Sequence, residues 1–310
     1  MLMQTMRLHE KDMLLLNDYL RSRFGGKVYK ISLDGGFTCP NRDGTLGTGG
    51  CIFCSAGGSG EFAQSRELSI TEQIENGKRL VESKYRGNMY IAYFQAYTGT
   101  YADAERLRSL FTEAIMHPDI VAISVATRPD CLPEDVLDLL EELNRIKPVW
   151  VELGLQTIHE RTAEYIRRGY PRVVYDRALE QLRRRNIEVI THVIIGLPGE
   201  SLEDILATVR YVCESGTNGI KLQLLHILKG TDLEKEYLAG KVSVLSEDEY
   251  IEILKECVKI IPENVVIHRL TGDGDKRILT APLWSGDKKN VINRVNREVL
   301  GLYTEPQTGR

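Results

Sequence analysis

Three of the six cysteines of this chain lie close together in one glycine-rich stretch, as Cys39, Cys51 and Cys54. The others stand singly, as Cys131, Cys213 and Cys257. Thiolates gathered on one loop favour a soft metal ion or an iron–sulfur cluster, because sulfur ligands select such centres. Three ligands with no fourth cysteine or histidine beside them predict a cluster that keeps one iron open for a small molecule.

Two other interpretations of these cysteines are open. A disulfide framework fits poorly, because six cysteines in 310 residues are sparse and the N-terminus lacks the basic-then-apolar layout of a secretion signal. A structural zinc site is the stronger alternative, but it normally takes four ligands in two pairs. Here there is one Cys-x-x-Cys pair, and His9 and His117 are distant in sequence. The three single cysteines are expected to be small buried residues, with Cys131 the one to examine for function.

The composition sets wide limits on function. A chain of 310 residues, 42% of them hydrophobic, is long enough for one large α/β domain with an extension. The formal net charge of −4 does not indicate a nucleic-acid-binding protein, although local patches decide such binding. The run Arg183-Arg184-Arg185 is either a solvated helix face or part of a phosphate-binding surface. No apolar run is long enough to span a membrane, so we expect a cytoplasmic protein.

Short apolar strands alternate with amphipathic helices along most of the chain. This alternation indicates a parallel sheet covered by helices, and six such units are too few for an eightfold barrel. We therefore predict an α/β fold, a partial (β/α)6 barrel of the TIM type. The predicted organisation is an N-terminal helix within 1–26, the barrel over 27–239, and a C-terminal α/β extension over 240–310 that caps the barrel or binds substrate. The predicted strands are 28–33, 89–94, 120–125, 149–155, 187–195 and 220–226, with a further one at 265–269.

Polar residues gather where the predicted strands end, which is where the active sites of such barrels lie. In the fourth strand, Glu152 and Gln156 share one face with Trp150, and in the fifth His192 lies among valine and isoleucine. A carboxylate in an apolar strand needs a partner, so Glu152 either forms a structural salt bridge inside the barrel or binds a ligand. His192 is either a hydrogen-bonded core histidine or a functional residue. Gln95 ends the second strand.

Several sequence motifs at these strand ends resemble those of the radical S-adenosylmethionine (SAM) superfamily. They are Thr127-Arg128-Pro129-Asp130, Val151-Glu152-Leu153-Gly154-Leu155-Gln156 and the run from His192 to Glu200. More narrowly, the chain resembles short bacterial proteins related to the radical SAM core of the Elongator catalytic subunit, without its acetyltransferase domain. The resemblance covers residues 28–237. The cysteine spacing is wider than the superfamily's usual Cys-x3-Cys-x2-Cys, as in the Elongator-like group, and Ala126 stands where relatives often carry a carboxylate.

The resemblance implies a [4Fe–4S] cluster on Cys39, Cys51 and Cys54, with the amino and carboxylate groups of SAM on the fourth iron. An electron from a donor such as flavodoxin or ferredoxin would cleave SAM reductively, and the resulting 5′-deoxyadenosyl radical would take a hydrogen atom from a substrate. Arg168 is implied to bind the carboxylate of SAM. The residues implied to contact SAM are Phe53, Gln95, Glu152, Gln156, Arg168, His192, Gly196 and Glu200.

The Elongator-like resemblance also points to the wobble uridine of tRNA as the substrate. Without an acetyltransferase domain, a tailoring step on an existing side chain fits best, namely conversion of a 5-carboxymethylaminomethyl group to a 5-aminomethyl group. The alternatives are a radical SAM enzyme that acts on a small metabolite or a peptide, and a non-catalytic zinc-binding module. The residues expected to contact the substrate are Arg128, Lys221, Arg269 and Trp284.

Overall fold

The computed structural model describes residues 13–272 and 274–302, so the part of the predicted N-terminal helix that precedes residue 13 lies outside the described residues, and the rest is present as α1. The strands are β1 (Tyr29–Leu33), β2 (Tyr90–Phe94), β3 (Ile120–Thr127), β4 (Val149–Gln156), β5 (Glu188–Ile195), β6 (Gly219–Leu224), β7 (Ile227–Leu228), β8 (Val266–Arg269) and β9 (Leu279–Ala281). The helices are α1 (Leu16–Phe24), α2 (Ile70–Val81), α3 (Ala104–Met116), α4 (Glu134–Asn144), α5 (Glu160–Tyr165), α6 (Arg172–Arg184), α7 (Leu202–Glu214), α8 (Asp232–Leu238), α9 (Glu247–Ile260) and α10 (Lys288–Glu298). None of the described helices is long and apolar enough to cross a membrane.

Seven parallel strands form one curled sheet in the order β1-β2-β3-β4-β5-β6-β8. The first six follow one another in chain order with helices between them, so the predicted α/β partial barrel is confirmed. The seventh strand, β8, comes from the predicted C-terminal extension and pairs with β6, with Gly219 opposite Val266. The extension therefore contributes a strand to the barrel sheet as well as covering it, and the strand predicted at 265–269 is confirmed.

A second sheet contains only β7 and β9, which pair antiparallel with Ile227 opposite Ala281. The sequence patterns did not predict this pair or the short helix α8. Strands of two and three residues are too short to show a readable hydrophobic period.

Serine residues begin three of the helices. Ser69, Ser201 and Ser246 each accept a hydrogen bond from the backbone N–H three residues on, where an acidic side chain bonds back to the serine N–H. Such a capping box satisfies two otherwise unpaired donors, and the cap stabilises a helix by about 1 kcal/mol. This local signal explains why α7 begins at Leu202.

The main hydrophobic core lies between the barrel sheet and the helices outside it. At one place in this core α2 contacts β1 through a glycine: a Cβ atom on Gly77 would lie 2.3 Å from Cγ2 of Ile31. The missing side chain thus lets the helix approach the strand that leads into the cysteine loop. Of the single cysteines, Cys131 and Cys257 are buried as expected, and Cys213 is half-buried in α7.

The first described segment of the chain covers the outer edge of the last barrel strand. Leu15 forms an isolated parallel bridge with Ile267, whose N–H donates to the carbonyl of Leu14 at 2.8 Å. This pairing occupies a strand edge that would otherwise be available to another chain.

Candidate active site

The cysteine loop connects β1 to α2 and leaves the sheet at the C-terminal end of β1. Backbone hydrogen bonds anchor it at Ile52, whose N–H donates to the Ile166 carbonyl at 3.2 Å and whose carbonyl accepts from the Leu233 N–H at 2.9 Å. Nδ2 of Asn41 lies 3.5 Å from Sγ of Cys51. These contacts fix the loop to neighbouring segments, although it has no regular secondary structure of its own.

Arg42 and Tyr97 hold the second half of the loop. The Arg42 guanidinium donates to the carbonyl of Cys54 at 2.9 Å, and the Tyr97 hydroxyl donates to the carbonyl of Ala56 at 2.5 Å. Gly58 has a φ of 57°, and a Cβ atom there would lie 2.4 Å from the Tyr97 ring. Glycine is therefore required at position 58 both for the turn and for the close approach of the ring.

The thiols of Cys39, Cys51 and Cys54 line one wall of an internal cavity, and none of them forms a disulfide. Burial, with a smaller effect of the neighbouring Cys54, raises the pKa of Cys51 to about 12. Burial also raises the pKa of Cys54. Thiolates at this wall therefore need a positively charged centre to bind them.

The spread of the three thiols suits a cluster better than one metal ion. A single tetrahedral zinc, with Zn–S bonds of about 2.3 Å, holds its sulfur ligands within about 4 Å of one another. Within the described part of the chain, only one set of three ligand atoms from His, Cys or carboxylate side chains lies within 4.8 Å of one another. It belongs to Glu75, His117 and Asp119, and Lys78 forms ion pairs with both Glu75 and Asp119. At least one pair of the cysteine Sγ atoms is therefore more than 4.8 Å apart, and three such donors on one wall fit a [4Fe–4S] cluster.

The cavity beside the thiols has a volume of about 190 Å³ and lies inside the mouth of the half-barrel. The cysteine loop forms one wall and the strand ends form the other, where Ala126 also lines it. Gly196 and Glu200 do not line this cavity; Glu200 instead accepts a hydrogen bond from Thr157 at 2.5 Å, so their contact with SAM stays a prediction. The predicted SAM contacts that line the cavity are Phe53, Gln95, Glu152, Gln156, Arg168 and His192.

An irregularity at the end of β4 directs Gln156 into this cavity. The pairing of β4 with β5 shifts between Gly154 and Gln156, and Gln156 has a φ of 66°, in the left-handed region. A Cβ atom on Gly154 would lie 2.6 Å from Nε2 of Gln156. Glycine at position 154 therefore leaves the space that the Gln156 amide occupies.

Glu152 is the centre of a buried group of polar side chains that come from five different strands. Lys30 Nζ lies 2.6 Å from its carboxylate, and the Ser124 hydroxyl and His192 Nε2 each lie 2.7 Å from it. Lys221 forms a further ion pair with the same carboxylate. The salt bridge that was one interpretation of Glu152 is therefore present, and the carboxylate also lines the floor of the cavity.

The charges of this buried group shift one another's pKa values. Burial alone would raise the pKa of Glu152, but Lys221 and Lys30 hold it well below its usual range. Burial lowers the pKa of Lys221 to about 7 against the opposing effect of Glu152, and Lys30 and Arg269 add to the lowering. Burial lowers the pKa of His192 to about 4. Because His192 is uncharged near pH 7, the two lysines and the ionised carboxylate leave the floor of the cavity with little net charge.

Arg168 lines the cavity, and backbone groups hold its side chain in place. Its guanidinium donates to the carbonyls of Leu155 at 3.0 Å, Thr157 at 2.7 Å and Tyr170 at 3.0 Å. Nη2 also lies 3.3 Å from the carboxylate of Glu160. Arg168 therefore holds the backbone after β4 and so positions Gln156, and its contact with the SAM carboxylate stays a prediction.

Two of the residues expected to contact the substrate already have carboxylate partners. Arg128 donates two hydrogen bonds to Asp130, at 2.9 Å and 2.7 Å, and its guanidinium stacks on the ring of Tyr170. Lys221 pairs with Glu152. Neither cation is well placed to serve as the main partner of a substrate anion.

The other two expected substrate residues lie farther along the mouth. Trp284 donates to the carbonyl of Leu245 at 3.0 Å and does not line the cavity beside the thiols. Arg269 lines a second cavity of about 130 Å³, which we call the Arg269 cavity. Phe53, Cys54, Ser59, Gln95 and Gln223 line both cavities, so the two adjoin.

Sequence reasoning missed several residues of the site. Lys30 and Gln223 are polar residues in otherwise apolar strands, which is the same signal that identified Glu152 and would have found them. Tyr93, whose ring centroid lies 4.4 Å from Lys30 Nζ, and Asn41 carry no such local signal. Their roles depend on partners that are distant in sequence.

The basic run at residues 183–185 is a helix face rather than an open phosphate-binding surface. Arg185 contacts Asp138 at 3.1 Å, and Arg184 forms an ion pair with Glu180. These positive charges are therefore already offset by carboxylates.

Comparison with known families identifies the class of protein that has this fold and this loop. The family model described as the Radical SAM superfamily matches residues 42–212, which is more than half of the chain. A second model, the Radical_SAM C-terminal domain, matches residues 217–300. The chain belongs to the radical SAM superfamily and is a radical SAM enzyme. Membership implies a [4Fe–4S] cluster and SAM, in agreement with the donor set described above.

Individual relatives agree with this assignment. "Uncharacterized protein YtqA" of Bacillus subtilis is 46% identical over 290 residues, which cover 94% of this chain and 90% of the relative. "tRNA uridine(34) acetyltransferase" of Methanocaldococcus jannaschii is 27% identical over 156 residues, which cover 49% of this chain and 28% of the relative. The structure of Methanocaldococcus infernus Elp3 superposes with a TM-score of 0.64 at 17% identity, over 89% of this chain and 64% of that one, and shows the shared fold.

Proposed function

We propose that this radical SAM enzyme converts the 5-carboxymethylaminomethyl side chain of the wobble uridine in tRNA to a 5-aminomethyl group. The observation that carries the proposal is the pair of adjoining cavities at the mouth of the half-barrel. One is lined by three thiols and the other by Arg269. The first suits a cluster with SAM, and the second suits an anionic substrate group next to it.

In this proposal Cys39, Cys51 and Cys54 bind a [4Fe–4S] cluster, and SAM occupies the cavity of about 190 Å³. When bound, the cluster supplies the electron that cleaves SAM to methionine and a 5′-deoxyadenosyl radical, and it recovers one electron at the end of the turnover. Gln156 and the loop around Phe53 orient SAM. The expected partner that first supplies the electron is a small redox protein such as flavodoxin or ferredoxin.

The choice of substrate is supported by the similarity to the tRNA uridine(34) acetyltransferase, whose name specifies uridine 34 of tRNA. The similar region covers about half of this chain. A base in a single-stranded loop can be splayed out, and sequence-selective RNA proteins usually engage such bases. A wobble base is therefore able to enter a barrel mouth that a paired base cannot reach. With a net charge of −4, the protein is expected to bind tRNA modestly and in a salt-sensitive manner.

The proposed reaction balances in atoms and electrons. The methylene between nitrogen and carboxylate loses a hydrogen atom to the deoxyadenosyl radical, because both neighbours stabilise the carbon radical. Loss of a second electron and of the N–H proton forms a C=N bond. Water then adds to this imine and the C–N bond breaks, giving 5-aminomethyluridine and glyoxylate. One SAM is consumed, and the second substrate electron replaces the one spent on SAM.

The test is mass spectrometry of tRNA nucleosides from a strain that lacks the gene. We expect 5-carboxymethylaminomethyl derivatives to accumulate and 5-aminomethyl derivatives to disappear. The wild-type gene should reverse both changes, and the Cys51→Ala variant should not. Unchanged wobble nucleosides would favour a small metabolite or a peptide as the substrate instead.

A further inference from the structure

We infer that the Arg269 cavity is the substrate-binding site, and that it takes a uracil base whose side chain ends in a carboxylate. Arg269 binds the carboxylate and Gln223 binds the edge of the base. This inference rests on the proposed function and specifies which residues meet the substrate.

The position of the cavity is the first argument. It shares Phe53, Cys54 and Gln223 with the cavity beside the thiols. Hydrogen-atom transfer needs the reacting atoms in contact, about 3–3.5 Å apart. A ligand in the Arg269 cavity lies against the loop that carries the thiols, so its side chain reaches the neighbouring cavity without a change of fold.

The charges around the cavity are the second argument. Arg269 and Glu61 both line it, and the Glu61 carboxylate accepts a hydrogen bond from the Ser55 hydroxyl. Arg269 lies in register with Lys221 on the adjacent strand. Burial is the main cause of the lowered pKa values of Lys221 and His192, and the positive charge of Arg269 lowers both further. A carboxylate bound at Arg269 offsets this repulsion between like charges.

The remaining walls of the cavity suit a pyrimidine ring. The side-chain amide of Gln223 forms no hydrogen bond with any described residue, and it offers a donor beside an acceptor. That pair matches the C4 carbonyl and the N3–H of uracil, the edge that RNA-binding proteins commonly read. Ile194, Leu224 and Leu225 supply apolar surface for the faces of the ring. The volume of about 130 Å³, the space of roughly four water molecules, suits one small ring.

The experiment compares two substrates and five proteins, each loaded with its cluster. The substrates are a tRNA with 5-carboxymethylaminomethyluridine at the wobble position and the same tRNA with the methyl ester of that group. The proteins are the wild type, Arg269→Met, Arg269→Lys, Gln223→Leu and the control Arg277→Met, which removes an exposed arginine paired with Asp275. KM, kcat, iron content and the midpoint of unfolding are measured for each.

We expect the wild type to prefer the acid to the ester. Arg269→Met should raise KM for the acid about ten- to hundredfold and lose the preference, because a charge-assisted hydrogen bond is gone. Arg269→Lys should keep part of the preference, and Arg277→Met should match the wild type. Gln223→Leu should raise KM for both substrates and leave the preference intact.

The outcomes separate this inference from the proposed function. If the wild type converts the acid and Arg269→Met retains both KM and the preference, the carboxylate binds elsewhere and the inference is overturned while the proposed function stands. If the wild type converts neither tRNA, the proposed function fails and the inference fails with it. If Arg269→Met loses iron or unfolds early, the folded Arg269→Lys protein decides through its preference for the acid, measured as kcat/KM for the acid divided by kcat/KM for the ester. A preference equal to that of the wild type overturns the inference, and a reduced preference supports it.

Discussion

The ammonium group of Lys30 on β1 lies 2.6 Å from the carboxylate of Glu152 on β4, although 122 residues separate them in the chain. The two side chains meet on the concave side of the sheet, where Glu152 also contacts His192 and Lys221. An ion pair between the first and fourth strands helps to fix the curvature of the half-barrel. The same group forms the floor of the cavity beside the thiols.

Glu152→Ala should therefore cost much more stability than Lys30→Met. Removing the carboxylate leaves two amino groups without their shared partner, and breaking a buried pair in this way costs about 3–5 kcal/mol. Removing Lys30 leaves Glu152 bonded to Lys221, His192 and Ser124, and should cost about 1–2 kcal/mol. Denaturant unfolding of both variants measures the difference. Equal losses would show that the carboxylate is not the centre of the group.

Cys39→Ala, Cys51→Ala and Cys54→Ala should each abolish the binding of iron and acid-labile sulfide after anaerobic reconstitution. Each thiol lines the cavity wall where the cluster is proposed to bind. Cys213→Ala, in α7, is the matched control and should bind both normally. Stoichiometric zinc without sulfide in the wild type would contradict this prediction.

Arg168→Met and Gln156→Ala should have separable effects. Arg168 donates to three backbone carbonyls, so its loss should lower the free energy of unfolding by about 3 kcal/mol. Gln156 lines the cavity, so Gln156→Ala should weaken SAM binding about tenfold with little loss of stability. Equilibrium binding of SAM and denaturant unfolding, measured on both variants, test this. A stable Arg168→Met protein with weak SAM binding would restore the direct contact expected from the sequence.

The stability of the protein should fall on acidification through His192. Its pKa is 6.5 in the unfolded chain and about 4 in the folded protein, because burial and then Lys221 disfavour the charged ring. The folded state therefore binds fewer protons in that window, and the contribution of His192 to stability is complete above pH 6.5 and is lost as the pH falls toward 4. The loss should be about 3 kcal/mol. Unfolding of the wild type and of His192→Gln at several pH values measures it, and parallel pH profiles would contradict it.

Gly77→Ala should destabilise the protein although alanine favours helices. The new Cβ atom would lie 2.3 Å from Cγ2 of Ile31, and such overpacking costs about 1–3 kcal/mol. In an Ile31→Ala background the clash is absent, so the same change should be neutral or stabilising by up to about 1 kcal/mol. A double-mutant cycle of unfolding free energies tests the contact, and additive effects would rule it out.

Much of the fold was predictable because its signals are local. The alternation of strands and helices was predicted because the hydrophobic period and first turns of helices such as α3 and α7 are readable along the chain. The polar residues Glu152 and His192 were identified because charge is costly in an apolar strand. The three thiols were placed on one loop by their spacing alone, and they do line one wall.

The rest of the site depends on contacts that no local pattern encodes. Arg168 has the charge that a SAM carboxylate needs, but its three partners are backbone carbonyls brought together by tertiary packing. The shift in register that directs Gln156 depends on pairing with β5. The two-stranded sheet of β7 and β9 joins segments about fifty residues apart, each too short to be recognised.

The bridge between Leu15 and Ile267 has a kinetic consequence. Almost the entire described chain lies between these two residues, and contacts so distant in sequence are costly to close and slow to form. During synthesis the thiol loop leaves the ribosome long before β8 does. The loop can therefore meet iron and sulfide while the strand that carries Arg269, and the N-terminal segment that fastens it, are still unpaired. In the order of biosynthesis, the cysteine loop is made well before the strand that carries Arg269.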